Sequence, residues 1–224
     1  MSDAPIIALS LKIAVVATIA SAPFALVVAW LLARRRFWGH SIVNALIHLP
    51  LVLPPVVTGY VLLRVLGRRG VVGAFLEQTF GVVFAFRWTG AAIAAAVMGF
   101  PLMVRAIRLA IEAVDRDLED AAGTLGASPG WTFTTVTLPL AFPGVLAGMI
   151  LGFAKALGEF GATITFVSNI PGETQTLALA IFSLIQTPGS DRDVLRLVLL
   201  SVAVSFVALM LSEYLARRVT KGRA

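Results

Sequence analysis

The sequence predicts an all-α, polytopic membrane protein of about five transmembrane helices. Three observations predict it. The 224 residues are 58% hydrophobic and only 13% charged, about half the ~25% usual in a soluble domain. Their mean hydropathy is +0.93. The apolar residues gather into five runs, 6–33, 42–66, 88–109, 138–157 and 194–216, each close to the ~20 residues that cross a bilayer as a helix. The net charge of +6 is carried largely by short arginine clusters flanking those runs, which is how topology signals are distributed and not how a nucleic-acid surface is built. With no cysteine and only His40 and His48 for histidines, disulfides and thiolate or histidine-rich metal centres drop out.

The first run, 6–33, is too long for a signal h-region and lacks a basic leader, so it reads as a membrane helix. Lys12, its only charge, lies near one end, where its stem can snorkel. Arg34, Arg35 and Arg36 stop the run. The second, 42–66, carries Pro50, Pro54 and Pro55. Lipid tolerates such breaks only where neighbouring helices or a watery cavity satisfy the freed carbonyls. It is therefore either a pathway-facing segment or a kinked packing helix. Residues 67–87 mix charge and apolar character (Arg68, Arg69, Glu77, Arg87) and suit an interfacial helix or loop. The third run, 88–109, begins rich in Gly and Ala, contains Pro101 and exits at Arg105 and Arg108. The fourth, 138–157, opens with Pro139 and Pro143 and places Gly144, Gly148 and Gly152 every four residues, a close-packing face. In the acidic connection 159–193, residues 177–185 are too few to span and read as a re-entrant or interfacial helix. Arg217, Arg218, Lys221 and Arg223 follow the last run.

Five spans put the termini on opposite sides. The positive-inside rule then assigns the triple arginine and the basic tail to the cytoplasm, with the N-terminus outside. Arg64, Arg68, Arg69 and Arg87 fall on the outer side and oppose that bias.

One polar stretch, 115–139, interrupts the apolar chain and lies on the cytoplasmic side of this topology. It holds Asp115, Asp117, Glu119 and Asp120, with Glu112 just upstream. Residues 117–125 predict a helix with Leu118, Ala121, Ala122 and Leu125 on one stripe. Its acidic first turn is favoured by the helix dipole. Gly126 supplies the stop. Ser128 and Pro129 restart the chain into a second short helix over 131–137, and Pro139 opens the next span. This hairpin is too small to be a domain and contains no catalytic constellation; it is suited to docking on a soluble partner.

The spacing in this stretch resembles the EAA signature of ABC importer permeases. Asp120, Ala121 and Ala122 are followed by three residues, Gly126, nine residues, Val136, one residue, then Leu138 and Pro139. Asp120 stands where the signature has Glu, and Val136 where it has Ile; both keep charge or shape. Further segments, LPLVLPPVVTG at 49–59, KALGEFGA at 155–162 and NIPGET at 169–174, are similar to the molybdate branch of these permeases, and the sulfate/thiosulfate branch shares much of the pattern. The similarity runs over essentially the whole chain and implies one transmembrane domain, 1–224. It implies a permease subunit of a bacterial inner membrane importer for an oxyanion, molybdate first and sulfate or thiosulfate as the alternative, working by alternating access. Its partners would be a second permease copy, two ATP-binding subunits that use ATP and Mg, and an external oxyanion-binding protein. The permease itself would be no enzyme and bind no cofactor or nucleic acid, in keeping with the lack of a Gly-x-x-x-x-Gly-Lys-Ser/Thr loop. The loop residues carried over for ATPase coupling are Glu119, Asp120, Ala121, Ala122, Gly126, Val136, Leu138 and Pro139.

Lys155 and Glu159 stand i, i+4 at the outer end of the fourth run; they either offer charge to an entering anion or neutralise one another. Thr58, Ser168 and Asn169 add neutral groups that a pathway or gate can use. His48, beside Pro50, suits a helix–helix hydrogen bond better than a ligand role. A secondary transporter is the competing class; it needs a carboxylate within a span, and Glu159 and Glu213 lie only at run ends. A membrane anchor is the third reading, and the clustered prolines and the loop spacing oppose it.

Overall fold

A computed structural model of the chain describes residues 3–221, with side chains described through Tyr214. The basic tail Arg217, Arg218, Lys221 and Arg223 thus lies outside the described side chains. Every regular element among the described residues is helical.

Helix α1 spans Ala4–Arg34, with Pro5 in its first turn, where a missing N–H costs nothing. At ~1.5 Å per residue it exceeds the ~30 Å hydrocarbon layer. Gly39, at φ +91°, turns the chain into α2, His40–Val52. Helix α3, Pro55–Leu66, follows after a bend of 113°. The bend has a local cause. Leu53 and Pro54 are both extended (ψ 143° and 131°) because each precedes a proline, and Pro54 and Pro55 have no N–H to continue the helical ladder. The segment 42–66, expected as one interrupted span, is therefore two helices meeting at a sharp corner.

Helix α4, Val71–Phe80, is the short element expected between the second and third runs. Helix α5, Trp88–Glu112, is the centre of the molecule. Its small residues Ala91, Ala94, Ala95 and Gly99 let α1 and the later helix over 138–157 approach closely. Helix α6, Arg116–Thr124, comes next. Helix α7, Pro129–Thr132, a π turn at Phe133–Thr137 and helix α8, Leu138–Leu157, then run on as one 29-residue rod. Pro139 thus sits inside a continuous helix and does not begin a separate one. The π turn lets the ladder absorb Pro139, two residues beyond its end. Three further helices complete the chain: α9, Gly161–Val167; α10, Leu177–Ile185; and α11, Asp191–Lys221.

Helices α1, α5 and α8 make one core in two layers. Ile13, Ala14 and Ala17 pack with Ala91, Ala95 and Ala156 in the first; Ala25, Ala29 and Leu32 pack with Val104, Ile107, Ala141 and Val145 in the second. Helices α1 and α5 therefore run parallel and α8 runs against them. Both ends agree. The Lys12 ammonium lies 3.6 Å from the centre of the Trp88 ring at the start of α5, and Arg34 donates to the Val114 carbonyl just past its end, 3.1 Å. Two parallel neighbours require the chain to return between them, and α2, α3 and α4 make that return. Among the described residues, four helices are long and apolar enough to cross a membrane, five crossings if the bent α2–α3 pair is counted as one. Helix α11 begins beside the N-terminus, where Arg196 meets Asp3 at 3.1 Å, and runs toward the α6 end along α1 and α8. It packs lightly: of its described side chains only Leu197 is buried.

Candidate functional site

The residues singled out in the sequence fall at the two opposite ends of this bundle. At the α6 end, Asp115 caps the helix, its carboxylate accepting from the Asp117 N–H at 3.0 Å. The helix stops in a Schellman turn. Gly126 sits at φ +88°, and the Ala127 N–H returns to the Ala122 carbonyl at 3.0 Å. A side chain at Gly126 would meet nothing within 4 Å, so its backbone angle, not space, asks for glycine. Ser128 then caps the 129–157 rod through the Trp131 N–H, 3.4 Å.

Glu119 ties this hairpin to the body. Its Oε1 accepts from Arg34 Nε and Nη2, at 3.3 and 3.1 Å, and from the Thr137 hydroxyl at 2.5 Å. Arg34 closes α1, Glu119 belongs to α6, and Thr137 ends the π turn, so one carboxylate oxygen joins three elements. The bridge is sheltered: the side chains are 10% and 18% exposed. Arg34 and Thr137 had no sequence signal for this role, since Arg34 lies 85 residues from Glu119 and reads as a stop signal.

The other acidic groups are turned differently. The acidic first turn divides in two: Glu119 points inward, whereas Asp117 and Asp120, with Ala121, are exposed. Leu118 and Leu125 are 50% and 89% exposed, and Trp131 is 64% exposed. Ala122, Val136 and Leu138 are half-buried and Pro139 is exposed. An apolar stripe edged by two carboxylates thus stands uncovered on a polar, capped hairpin.

At the other end, the α2–α3 corner faces the break between α8 and α9. Here Gly59 and Gly161 permit contact. A Cβ at Gly59 would come within 2.5 Å of the Ala162 carbonyl oxygen, and one at Gly161 within 2.7 Å of the Pro55 Cβ. Glu159 is buried; its Oε2 meets the Lys155 ammonium and its Oε1 accepts from the Ala162 N–H at 3.0 Å. The pair is self-neutralising and also fixes the start of α9. Thr58, on α3, is buried with its hydroxyl unpartnered, and Asn169, just beyond α9, keeps an unpartnered Oδ1 while its Nδ2 donates to the Leu179 carbonyl at 3.4 Å. Ser168 holds φ +63°, unusual for a residue with a side chain. All five pathway candidates therefore lie at this end. No cluster of three or more metal-ligating side chains occurs among the described residues.

A family model described as "Binding-protein-dependent transport system inner membrane component" matches residues 21–221. The chain is 57% identical over 213 residues to the molybdenum transport system permease protein ModB of Haemophilus influenzae, covering 95% of this chain and 93% of that one. It is 38% identical over 177 residues to the sulfate transport system permease protein CysT of Salmonella typhimurium, covering 79% of this chain and 64% of the other. Among solved structures, a bacterial ABC transporter involved in the import of the acidic polysaccharide alginate has a chain that superposes with TM-score 0.77 over 98% of this chain and 81% of its own, at 17% identity, a likeness of fold.

Proposed function

We propose, starting from the fact that this chain belongs to the family of inner membrane components of binding-protein-dependent transport systems, that it is the permease subunit of an ATP-driven importer for molybdate. The observation that carries the mechanism is the capped hairpin of α6 and α7: uncovered on its outer face and locked to two membrane helices by Glu119 on its inner face. Identity to a molybdenum permease over nearly its full length favours molybdate; the weaker and shorter match to a sulfate permease keeps sulfate as the alternative substrate.

In this reading Leu118, Asp120, Ala121 and Leu125 enter a cleft on a separate ATPase subunit, which binds ATP and Mg. Two permease copies enclose the pathway, each with one ATPase. Closure of the ATPases on ATP draws the two hairpins together. The movement enters α1 through Arg34 and α8 through Thr137, and the unbroken rod from Pro129 to Leu157 carries it to the far end. There the α2–α3 corner and the α8–α9 break, held together across Gly59 and Gly161, form the gate, with Thr58, Ser168 and Asn169 offering hydroxyl and amide groups and the Lys155–Glu159 pair fixing the start of α9. The α6 end faces the cytoplasm and the N-terminus the outside, where an oxyanion-binding protein delivers substrate.

The test is ATP hydrolysis by the assembled transporter in lipid vesicles. Molybdate-loaded binding protein should stimulate it and sulfate-loaded protein should not. Stimulation by sulfate alone transfers the chain to the sulfate branch; no stimulation by either removes the importer reading.

A further inference from the structure

Between α2 and α5, at the α6 end, lies a cavity of about 340 Å³ lined by Asn44, His48, Arg105, Arg108, Leu109 and Glu112. Its polar groups are two guanidinium groups, an amide, an imidazole and the Glu112 carboxylate. Arg108 is partly spent: its Nε meets Glu112 at 2.7 Å and its Nη1 donates to Asn44 Oδ1 at 3.1 Å. That bond occupies the Asn44 oxygen and leaves its amide NH2 as the free group. The His48 Nδ1 lies 2.8 Å from the Asn44 carbonyl, which only accepts, so Nδ1 carries the hydrogen. Arg105, one turn before Arg108 and on the same face, has no hydrogen bond or ion pair among the described residues. Glu112 cancels Arg108, and the Arg105 charge remains in excess.

Arg105 is exposed at this opening, seven residues before the last residue of α5, Glu112, about 10 Å along the axis at ~1.5 Å per residue. An unpaired guanidinium at the end of an apolar run attracts an anionic partner. The planar fork of arginine suits oxygens at tetrahedral spacing, and the volume is that of a small-molecule pocket.

We propose that this α2–α5 cavity binds a tetrahedral oxyanion, held by Arg105 and Arg108 with the Asn44 amide as a neutral donor. The inference rests on the importer reading for its orientation, in which this cavity opens toward the cytoplasm, on the exit side of the gate. Two sources supply the same chemistry: the transported oxyanion itself, or the phosphate of an anionic lipid.

The test uses the full transporter in nanodiscs, without binding protein. Equilibrium binding of labelled molybdate is measured in phosphatidylcholine discs, and retained phosphatidylglycerol is counted by native mass spectrometry in discs containing it. Arg105→Gln should weaken binding by about tenfold or more, the loss of one charge-assisted donor group, and Arg105→Lys should restore most of it. Co-purification of the ATPase reports that both variants fold. Loss of molybdate binding in Arg105→Gln identifies the solute as the occupant; loss of retained phosphatidylglycerol alone identifies the lipid. Both outcomes support the site. Wild-type behaviour of Arg105→Gln in both measurements, or no binding of either probe by the wild type, overturns it. Binding-protein-stimulated ATP hydrolysis by the wild type is scored separately. Its absence alongside Arg105-dependent binding sinks the importer reading and leaves the anion site standing.

Discussion

Replacing Glu119 with alanine removes the shared acceptor between α1, α6 and the π turn. Each charge-assisted hydrogen bond contributes ~1.5–3 kcal/mol, and breaking a fully buried pair costs ~3–5 kcal/mol. Here the pair is sheltered but not fully buried, at 10% and 18% side-chain exposure, and Arg34 keeps the Val114 carbonyl at 3.1 Å as a second acceptor. The expected cost is therefore near the lower figure, about 2 kcal/mol, which is ~30-fold in the opening equilibrium of α6. Hydrogen exchange of the α6 amides in the assembled transporter reads this opening directly. Glu119→Ala should speed their exchange ~30-fold while the buried amides of α5 stay as in the wild type. Glu119→Gln, which keeps a neutral acceptor, should fall between the two. Transport should drop while the ATPase still turns over. Unchanged α6 exchange in Glu119→Ala refutes the three-way tie as the anchor of the hairpin.

Further outcomes follow from individual contacts. Gly144→Ala places a Cβ 2.1 Å from the Ala110 Cβ and should push α8 from α5, lowering detergent thermal stability by ~1–3 kcal/mol; Ala110→Gly in the same chain should restore most of it, and simple additivity of the two changes would contradict the contact. At Gly126, alanine is strained by ~1–2 kcal/mol at φ +88°. Asparagine adopts that conformation more readily, so Gly126→Asn should retain more co-purifying ATPase than Gly126→Ala. At the other end, Lys155→Gln should leave molybdate uptake near wild type, whereas Glu159→Ala, which frees the Ala162 N–H and strands Lys155, should reduce it severalfold. Strong loss in Lys155→Gln instead would make the lysine part of the pathway.

Helical class, the long apolar elements and the α6 stop were legible in the sequence because each is a local property. Run length, an acidic first turn and Gly126 at a stop are read without knowing what lies beside them. The 113° corner at Leu53 and Pro54 was half legible: the prolines forbid a straight helix, but the size of the turn depends on Gly59 and Gly161 letting α3 meet α9. The continuity of the 129–157 rod was hidden because Pro139 suggests a helix start, and only a π turn at 133–137 reconciles it with an unbroken helix. Division of the acidic loop was invisible. Glu119 and Asp120 are neighbours of like charge; which one turns inward is decided by Arg34 and Thr137, remote in sequence. Arg105 and Arg108 read as markers of a span end because their common face toward Asn44 and His48 exists only once α2 lies against α5.

The central claim is that the outer face of α6 is where an ATPase engages this chain, and site-directed cross-linking tests it most directly. The sequence contains no cysteine, so a single introduced thiol is unambiguous. Leu125→Cys, at a position 89% exposed, should cross-link to the ATPase subunit in native membranes, and addition of ATP with vanadate should change the yield. Phe75→Cys, 59% exposed on α4 in the return between the second and third runs, should not. Cross-linking from Phe75 and none from Leu125 would place the ATPase elsewhere on the permease and contradict the account.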